Sequence, residues 1–169
     1  MRLMLVRHAK SKRPPDCGDH DRPLTRRGRE ASRRMGSHMA GEGLAPDLVV
    51  ISTARRAQET WHQMRDAFDP RIAQQFQSRV YGASSDALVG IVRETPSDVR
   101  TLLMIGHNPG FQELALRLTG KAPKGDIDRL RHKLPTAGLV VIDFAAESWR
   151  DARDGQGKLS LFETPRTIG

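Results

Sequence analysis

Side chains that can bind and attack a phosphoryl group stand at three separate points of the sequence. Arg7 and His8 directly follow one apolar run, and His107 lies just past the end of another. Arg55 comes shortly after a third apolar run. Arginine donates paired, coplanar hydrogen bonds that match phosphate oxygens, and a neutral imidazole can act as a nucleophile near neutral pH. These residue types therefore indicate a site in which a histidine accepts a phosphoryl group that arginines hold.

Four apolar runs predict the buried strands that would position these side chains. They are Leu3–Val6, Leu48–Ile51, Thr101–Ile105 and Leu139–Ile142. Near the C-terminus, Leu159 and Leu161 alternate with polar residues, which predicts an exposed edge strand.

Helical patterns occupy the segments between the predicted strands. They run from an N-cap at Thr25 to about Glu42, after Ser52, over Ser85–Glu94 and from Pro109 to Gly120. Strands that alternate with helices predict a single α/β domain over residues 1–169, a three-layer sandwich with a central, mainly parallel sheet. Because ligands of such sheets bind beyond the carboxyl ends of the strands, the two arginines and two histidines should converge on one rim.

The composition is that of a globular protein, with 37% hydrophobic and 28% charged residues. Cys17 is the only cysteine, so no internal disulfide can form, which favours a reducing compartment. The apolar run before Arg7 is shorter than a secretory signal or a membrane span requires. We therefore expect a cytoplasmic protein that does not act in a membrane.

The net charge of +8 favours anionic partners but does not choose among them. Nucleic acid is not favoured, because aromatic residues are only 5% of the chain and form no stacking pattern. The arginines between Arg26 and Arg34 are typical of a solvated helix face, although such a face could also dock an acidic protein.

Several short motifs together resemble the histidine phosphatase superfamily, and in particular its SixA-like phosphohistidine phosphatases. The segments that carry the resemblance are Leu5–Ser11, Asp21–Gly28, Ser52–Thr60, Val80–Ser84, Gly106–Gly110 and Leu134–Gly138. Each motif is modest, but their order and spacing are specific. The resemblance covers the chain from Arg2 to about Phe144 and implies a phosphoglycerate mutase-like fold.

The resemblance also implies roles for the candidate residues. His8 would accept the phosphoryl group, while Arg7, Arg55 and His107 would hold its oxygens and stabilise the charge of the transition state. No metal or other cofactor would be required. The nearest approach to a metal-ligand cluster is His20 with its acidic neighbours, and its spacing matches no standard metal site.

The general acid is the open question in this prediction. Asp19 and Asp21 are the candidates, and a third alternative is that no dedicated acid exists. Without a strong acid, esters with poor leaving groups would react slowly, whereas the labile N–P bond of phosphohistidine would be affected less. Lys10, Ser11 and Asn108 are expected to contact the substrate around the phosphoryl group, and the alternative for Lys10 and Ser11 is that they simply face water.

The sequence thus favours a phosphatase that removes phosphate from phosphohistidine in a protein. The first alternative is a phosphatase for small phosphate esters. The second is a basic module that binds nucleic acid or an acidic protein, and its only support is the charge.

Overall fold

Seven strands and five helices alternate along the chain in the computed structural model, which describes Met1–Gly169. The strands are β1 (Arg2–Arg7), β2 (Leu48–Ser52), β3 (Ala73–Gln77), β4 (Thr101–Gly106), β5 (Thr119–Lys121), β6 (Leu139–Asp143) and β7 (Gly157–Glu163). The helices are α1 (Arg26–Gly41), α2 (Arg55–Met64), α3 (Ser85–Glu94), α4 (Gly110–Leu118) and α5 (Asp126–His132). The four apolar runs and the four helical patterns all lie on observed elements, with bounds that differ by a few residues.

All seven strands form one sheet in the order β3-β2-β4-β1-β6-β7-β5. The strands that precede the candidate residues, β1, β2 and β4, are parallel neighbours at its centre. The pairings of β6 with β1 and with β7 are antiparallel, so the sheet is mixed. The carboxyl ends of β1, β2 and β4 therefore meet on one rim, as the sequence predicts.

Side chains of the central strands alternate between two separate cores, one on each face of the sheet. In β1, Leu3 and Leu5 belong to the larger core, whereas Met4 and Val6 belong to the smaller one. Helices α3, α4 and α5 cover the first core, and α1 and α2 cover the second. Full burial of each such side chain contributes roughly 1.5–3 kcal/mol. This arrangement confirms the predicted three-layer α/β sandwich.

The first helix starts where its cap predicts. The hydroxyl of Thr25 accepts a hydrogen bond from the backbone N–H of Gly28 across 3.0 Å. A Cβ added to Gly28 would lie 2.2 Å from the carbonyl oxygen of Lys10. Glycine is needed here because the segment after β1 passes directly against α1.

The prediction of an exposed C-terminal edge strand is wrong. β7 pairs with β6 on one side and with the short β5 on the other, and Leu159 is fully buried. The sheet ends instead at β5 and at β3, an edge strand that displays Phe76 to solvent. Neither β3 nor β5 has an apolar run, and α5 is also absent from the predicted set. Gly120 lies in β5, since α4 ends at Leu118.

No helix in the structure has the length and apolar character that crossing a membrane requires.

Candidate active site

Two histidine rings face each other at the rim where β1 and β4 end. Arg7 pairs with Gly106 in the parallel register of these strands, so His8 and His107 follow at the same level. Their ring centroids are 5.1 Å apart and both side chains are buried. The backbone N–H of His8 donates to the carbonyl of Gly106 across 2.9 Å, which fixes the two segments to each other.

The protonation of the His8 ring follows from its hydrogen bonds. Nδ1 lies 2.8 Å from the carbonyl oxygen of Ala9. Because a carbonyl can only accept, Nδ1 carries the proton and Nε2 carries a free lone pair. Nε of Arg56 donates to this Nε2 across 3.2 Å. The nitrogen with the lone pair therefore faces a guanidinium group.

Both rings are held neutral at physiological pH. The pKa of His8 is lowered to about 3, mainly by burial and also by His107, Arg56 and Arg7, while the hydrogen bond to the Ala9 carbonyl acts in the opposite direction. Burial is also the main reason why the pKa of His107 falls to about 4, with Arg56 next in importance. A neutral imidazole at His8 is available as a nucleophile over the whole physiological range.

The prediction that the Arg55 side chain lies at this rim is wrong. The side chain of the neighbouring Arg56 lies there instead. The Arg56 side chain is 7% exposed and points at His8, whereas that of Arg55 is 57% exposed. Arg55 forms an ion pair with Glu59 one turn along α2, at 2.7 Å. The i,i+4 spacing of Arg55 and Glu59 is typical of a solvated helix face and was the signal in the sequence that could have identified this.

Asp19 enters the site as the partner of Arg56. The guanidinium donates to the Asp19 carbonyl across 2.6 Å and to its carboxylate across 3.1 Å. The hydroxyl of Tyr81 donates to the same carboxylate across 2.7 Å, and Arg22 donates to it across 3.1 Å. The Tyr81 hydrogen bond is the main cause that holds the pKa of Asp19 well below its usual range. Asp19 is therefore a carboxylate without a proton to donate.

Tyr81 joins the site through its contacts with His107 and Asp19. Its ring stands edge-on to His107, with centroids 5.6 Å apart, and edge-on to His20 at 4.9 Å. The hydrogen bond to Asp19 raises the pKa of the Tyr81 hydroxyl. Neither Tyr81 nor Arg56 was among the predicted site residues.

Arg7 and Asn108 share one acceptor at the other side of the site. Nη1 of Arg7 donates to the carbonyl of Leu134 across 3.0 Å, and the side-chain amide of Asn108 donates to it across 2.9 Å. Nε of Arg7, Oδ1 of Asn108 and Nδ1 of His107 are buried without any hydrogen-bond partner. Because buried polar atoms are nearly always paired, this concentration of unpaired atoms marks a place for a polar ligand.

The remaining predicted residues lie outside the cluster. The Asp21 side chain is 78% exposed, and Nδ1 of His20 lies 3.8 Å from its carboxylate. The Lys10 side chain faces solvent, and the hydroxyl of Ser11 accepts a hydrogen bond from Arg22 across 3.0 Å. The structure therefore brings together Arg7, His8, Asp19, His107 and Asn108, but not these three.

Three residues outside the predicted set hold the site in place. Thr60 accepts a hydrogen bond from the backbone N–H of Ala9 across 3.0 Å, next to His8. The Ser52 hydroxyl lies 2.7 Å from Nε2 of His107. Glu59 accepts from the backbone N–H of Leu24 across 2.8 Å, which ties the segment containing Asp19 to α2.

No group of three or more histidine, cysteine, aspartate or glutamate side chains is arranged to hold a metal ion.

Comparison with known proteins identifies relatives of this chain. The model of the histidine phosphatase superfamily (branch 1) matches residues 3–83, which include His8 and Arg56. The uncharacterized protein Rv1276c of Mycobacterium tuberculosis is 34% identical over 164 residues, which are 95% of this chain and all of that protein.

Two solved structures show the same fold. One, assigned as the phosphohistidine phosphatase SixA of Nakamurella multipartitia, superposes with a TM-score of 0.84 and 28% identity over 97% of this chain and 95% of that one. Another, assigned as an alpha-ribazole-5'-P phosphatase of Escherichia coli K-12, has a TM-score of 0.70 and 20% identity over 100% of this chain and 99% of that one. The second likeness is evidence of a common fold only, because its identity is low.

Proposed function

Because the chain belongs to the histidine phosphatase superfamily, we propose that it removes phosphate from phosphohistidine in a protein, through a phosphoryl group carried briefly by His8. The observation that carries the proposal is the hydrogen bonding of the His8 ring. Nδ1 is occupied by the Ala9 carbonyl, so the lone pair of Nε2 faces the guanidinium of Arg56. A nucleophile thus stands beside a cation that binds phosphate oxygens.

The reaction would take place in two steps. In the first, Nε2 of His8 attacks phosphorus and the N–P bond of the substrate breaks. The substrate ring, already protonated by solvent on its other nitrogen, leaves as neutral imidazole. In the second, water attacks the phosphorus on His8, this N–P bond breaks, and inorganic phosphate forms as the water loses its proton to solvent. Arg7, Arg56 and His107 would hold the phosphoryl oxygens in both steps.

The substrate class follows from the state of the carboxyl groups. Asp19 is ionised and accepts hydrogen bonds from Tyr81, Arg22 and Arg56, so it has no proton to give. Asp21 is exposed beyond the cluster. An ester oxygen leaves as an alkoxide unless an acid protonates it, whereas a protonated phosphohistidine ring needs no acid from the enzyme. This difference favours an N–P substrate over an ester.

In this proposal Asp19 is a positioning residue that holds Arg56, and Asn108 contacts the substrate through its unpaired Oδ1. Substrate contacts by Lys10 and Ser11 stay predictions, as does the cytoplasmic location.

The test uses a histidine-phosphotransfer domain that has been phosphorylated chemically with phosphoramidate. Release of phosphate is measured for the wild type, for His8→Ala and for His62→Ala, a matched variant of an exposed histidine on α2. We expect release by the wild type and His62→Ala, and none by His8→Ala. Protein quenched in alkaline detergent during a single turnover and separated from the substrate should carry acid-labile, alkali-stable phosphate for the wild type and His62→Ala, and none for His8→Ala.

An aryl phosphate assayed in parallel separates the alternatives. Turnover of the aryl phosphate without turnover of the phosphorylated domain would replace the proposal with a phosphatase for small esters. Phosphate release that survives His8→Ala would overturn the role of His8 itself.

A further inference from the structure

A groove of about 830 Å³ extends from Arg7 across the surface beside the candidate site. Six cations line it, and we call it the basic groove: Arg7, Lys10, Arg27, Arg129, Lys133 and Arg166. None of its 13 lining residues is acidic. A concave surface with a single sign of charge concentrates the field and attracts ions of opposite charge.

Most of these cations have no partner within the protein. Lys10, Arg27, Lys133 and Arg166 are exposed and form no ion pair with any carboxylate. Arg26, the residue before Arg27, is by contrast paired with Glu30 at 3.0 Å. These four charges are therefore free to bind an anionic group from another molecule.

Each wall of the groove is held by contacts within the fold. The carbonyl of Lys10 accepts from the backbone N–H and the hydroxyl of Thr25, across 2.9 and 3.1 Å, which joins Lys10 to the first turn of α1. On the opposite wall, Arg129 pairs with Asp126 at 2.8 Å and stacks over Phe162 at 5.0 Å. The groove is therefore a built feature of the fold.

The groove joins the candidate site through Arg7. The Arg7 side chain lines the groove and donates to the carbonyl of Leu134, while His8 follows it in the chain. A substrate whose phosphoryl group is held at His8 would place its next groups in the groove.

We propose that the basic groove binds an acidic segment of the phosphohistidine-bearing protein, next to the phosphorylated ring. This proposal rests on the proposed function. The unpaired cations are long, exposed side chains spread over several walls, which suits an extended chain with several carboxylates. A second phosphate of a small molecule would instead need enclosed donors, and all four unpaired cations are exposed.

The test compares two synthetic peptides that carry phosphohistidine, one flanked by glutamates and one by glutamines. We expect kcat/KM to be roughly 10- to 100-fold higher for the acidic peptide, and the preference to shrink as ionic strength rises. Arg27→Glu combined with Arg166→Glu should abolish the preference. Arg153→Glu should keep it, because Arg153 is an exposed, unpaired cation outside the groove.

Each outcome has a separate meaning. Equal kcat/KM for the two peptides would overturn the groove proposal and leave the proposed function standing. Faster hydrolysis of fructose 1,6-bisphosphate than of the acidic peptide would also overturn it, by assigning the groove to a second phosphate. No release from either peptide, from free phosphohistidine or from the phosphorylated histidine-phosphotransfer domain would overturn the proposed function itself, and the groove proposal with it.

Discussion

Nε of Arg56 lies 3.2 Å from Nε2 of His8, although 48 residues separate them in the chain. The same guanidinium donates two hydrogen bonds to Asp19, so its direction is set by a third segment. An incoming phosphoryl oxygen would take over the contact that His8 now makes with Arg56. This arrangement and the elements that support it lead to five predictions.

Replacing Arg56 with lysine should lower kcat for a phosphorylated histidine-phosphotransfer domain roughly 10²- to 10³-fold. The reason is that a positioned donor to the transition-state oxygens is lost, and lysine cannot reproduce the planar fork. Arg55→Lys is the matched control and should keep kcat within about twofold, since exposed ion pairs such as Arg55 with Glu59 are weak. A large loss at Arg55 with little loss at Arg56 would reverse the assignment.

Asp19→Asn should reduce kcat roughly 10- to 100-fold for phosphohistidine and for an aryl phosphate alike. The variant weakens charged hydrogen bonds that orient Arg56, and such bonds contribute about 1.5–3 kcal/mol. Asp21→Asn should have no effect, because its side chain is exposed. A general acid would behave differently: the ester rate alone would fall, and the alkaline limb of its pH profile would disappear.

The His8 ring should stay neutral far below the pH at which histidine ordinarily takes up a proton. Its pKa is lowered to about 3, and that of His107 to about 4, mainly by burial. A ¹⁵N NMR titration should show that neither ring gains a second proton above about pH 5. The single proton of the His8 ring should be on Nδ1, and Nε2 should carry none. A short unstructured peptide that contains histidine, titrated in the same buffer, is the reference. Titration of His8 together with this peptide would contradict the prediction.

The same shifts bear on stability. The unfolded chain binds protons on these two histidines near pH 6.5, whereas the folded chain does not until about pH 3 to 4. The free energy of unfolding should therefore decrease as pH falls from 6.5 towards 4. Urea unfolding at several pH values measures this slope, and it should be shallower in His107→Gln.

Gly28→Ala should destabilise the protein by roughly 1–3 kcal/mol through overpacking. The added Cβ would meet the carbonyl oxygen of Lys10 at 2.2 Å, and a backbone atom cannot move aside easily. Gly41→Ala, at the end of the same helix, meets nothing within 4 Å and should be neutral or slightly stabilising. Urea unfolding of both variants makes the comparison. Equal stability of the two would show that the segment after β1 shifts freely.

Much of the fold could be predicted because local patterns determine it. Successive side chains of β1 alternate between the two cores. Continuous apolar runs of this kind identify strands that are buried on both faces. The strand pattern of β7 was predicted, but its position inside the sheet was not. That position depends on its long-range pairing with β5, which forms the edge in its stead. β3 and β5 were missed because short, exposed edge strands carry no apolar signal.

The candidate site likewise contains residues that local patterns predict and residues that they do not. Arg7, His8 and His107 follow strands directly, and parallel strands deliver their ends to one rim whatever the rest of the chain does. On a helix, however, each residue turns the side chain by about 100°, so the choice between Arg55 and Arg56 depended on which face α2 buries. Asp19 lies in a single 3-10 turn and Tyr81 directly follows another. Nothing local to either segment determines that they meet over Arg56. The sequence by itself determined the chemistry of the rim, and the tertiary structure decided which arginine and which carboxylate complete it, because packing alone sets where helix faces and loops point.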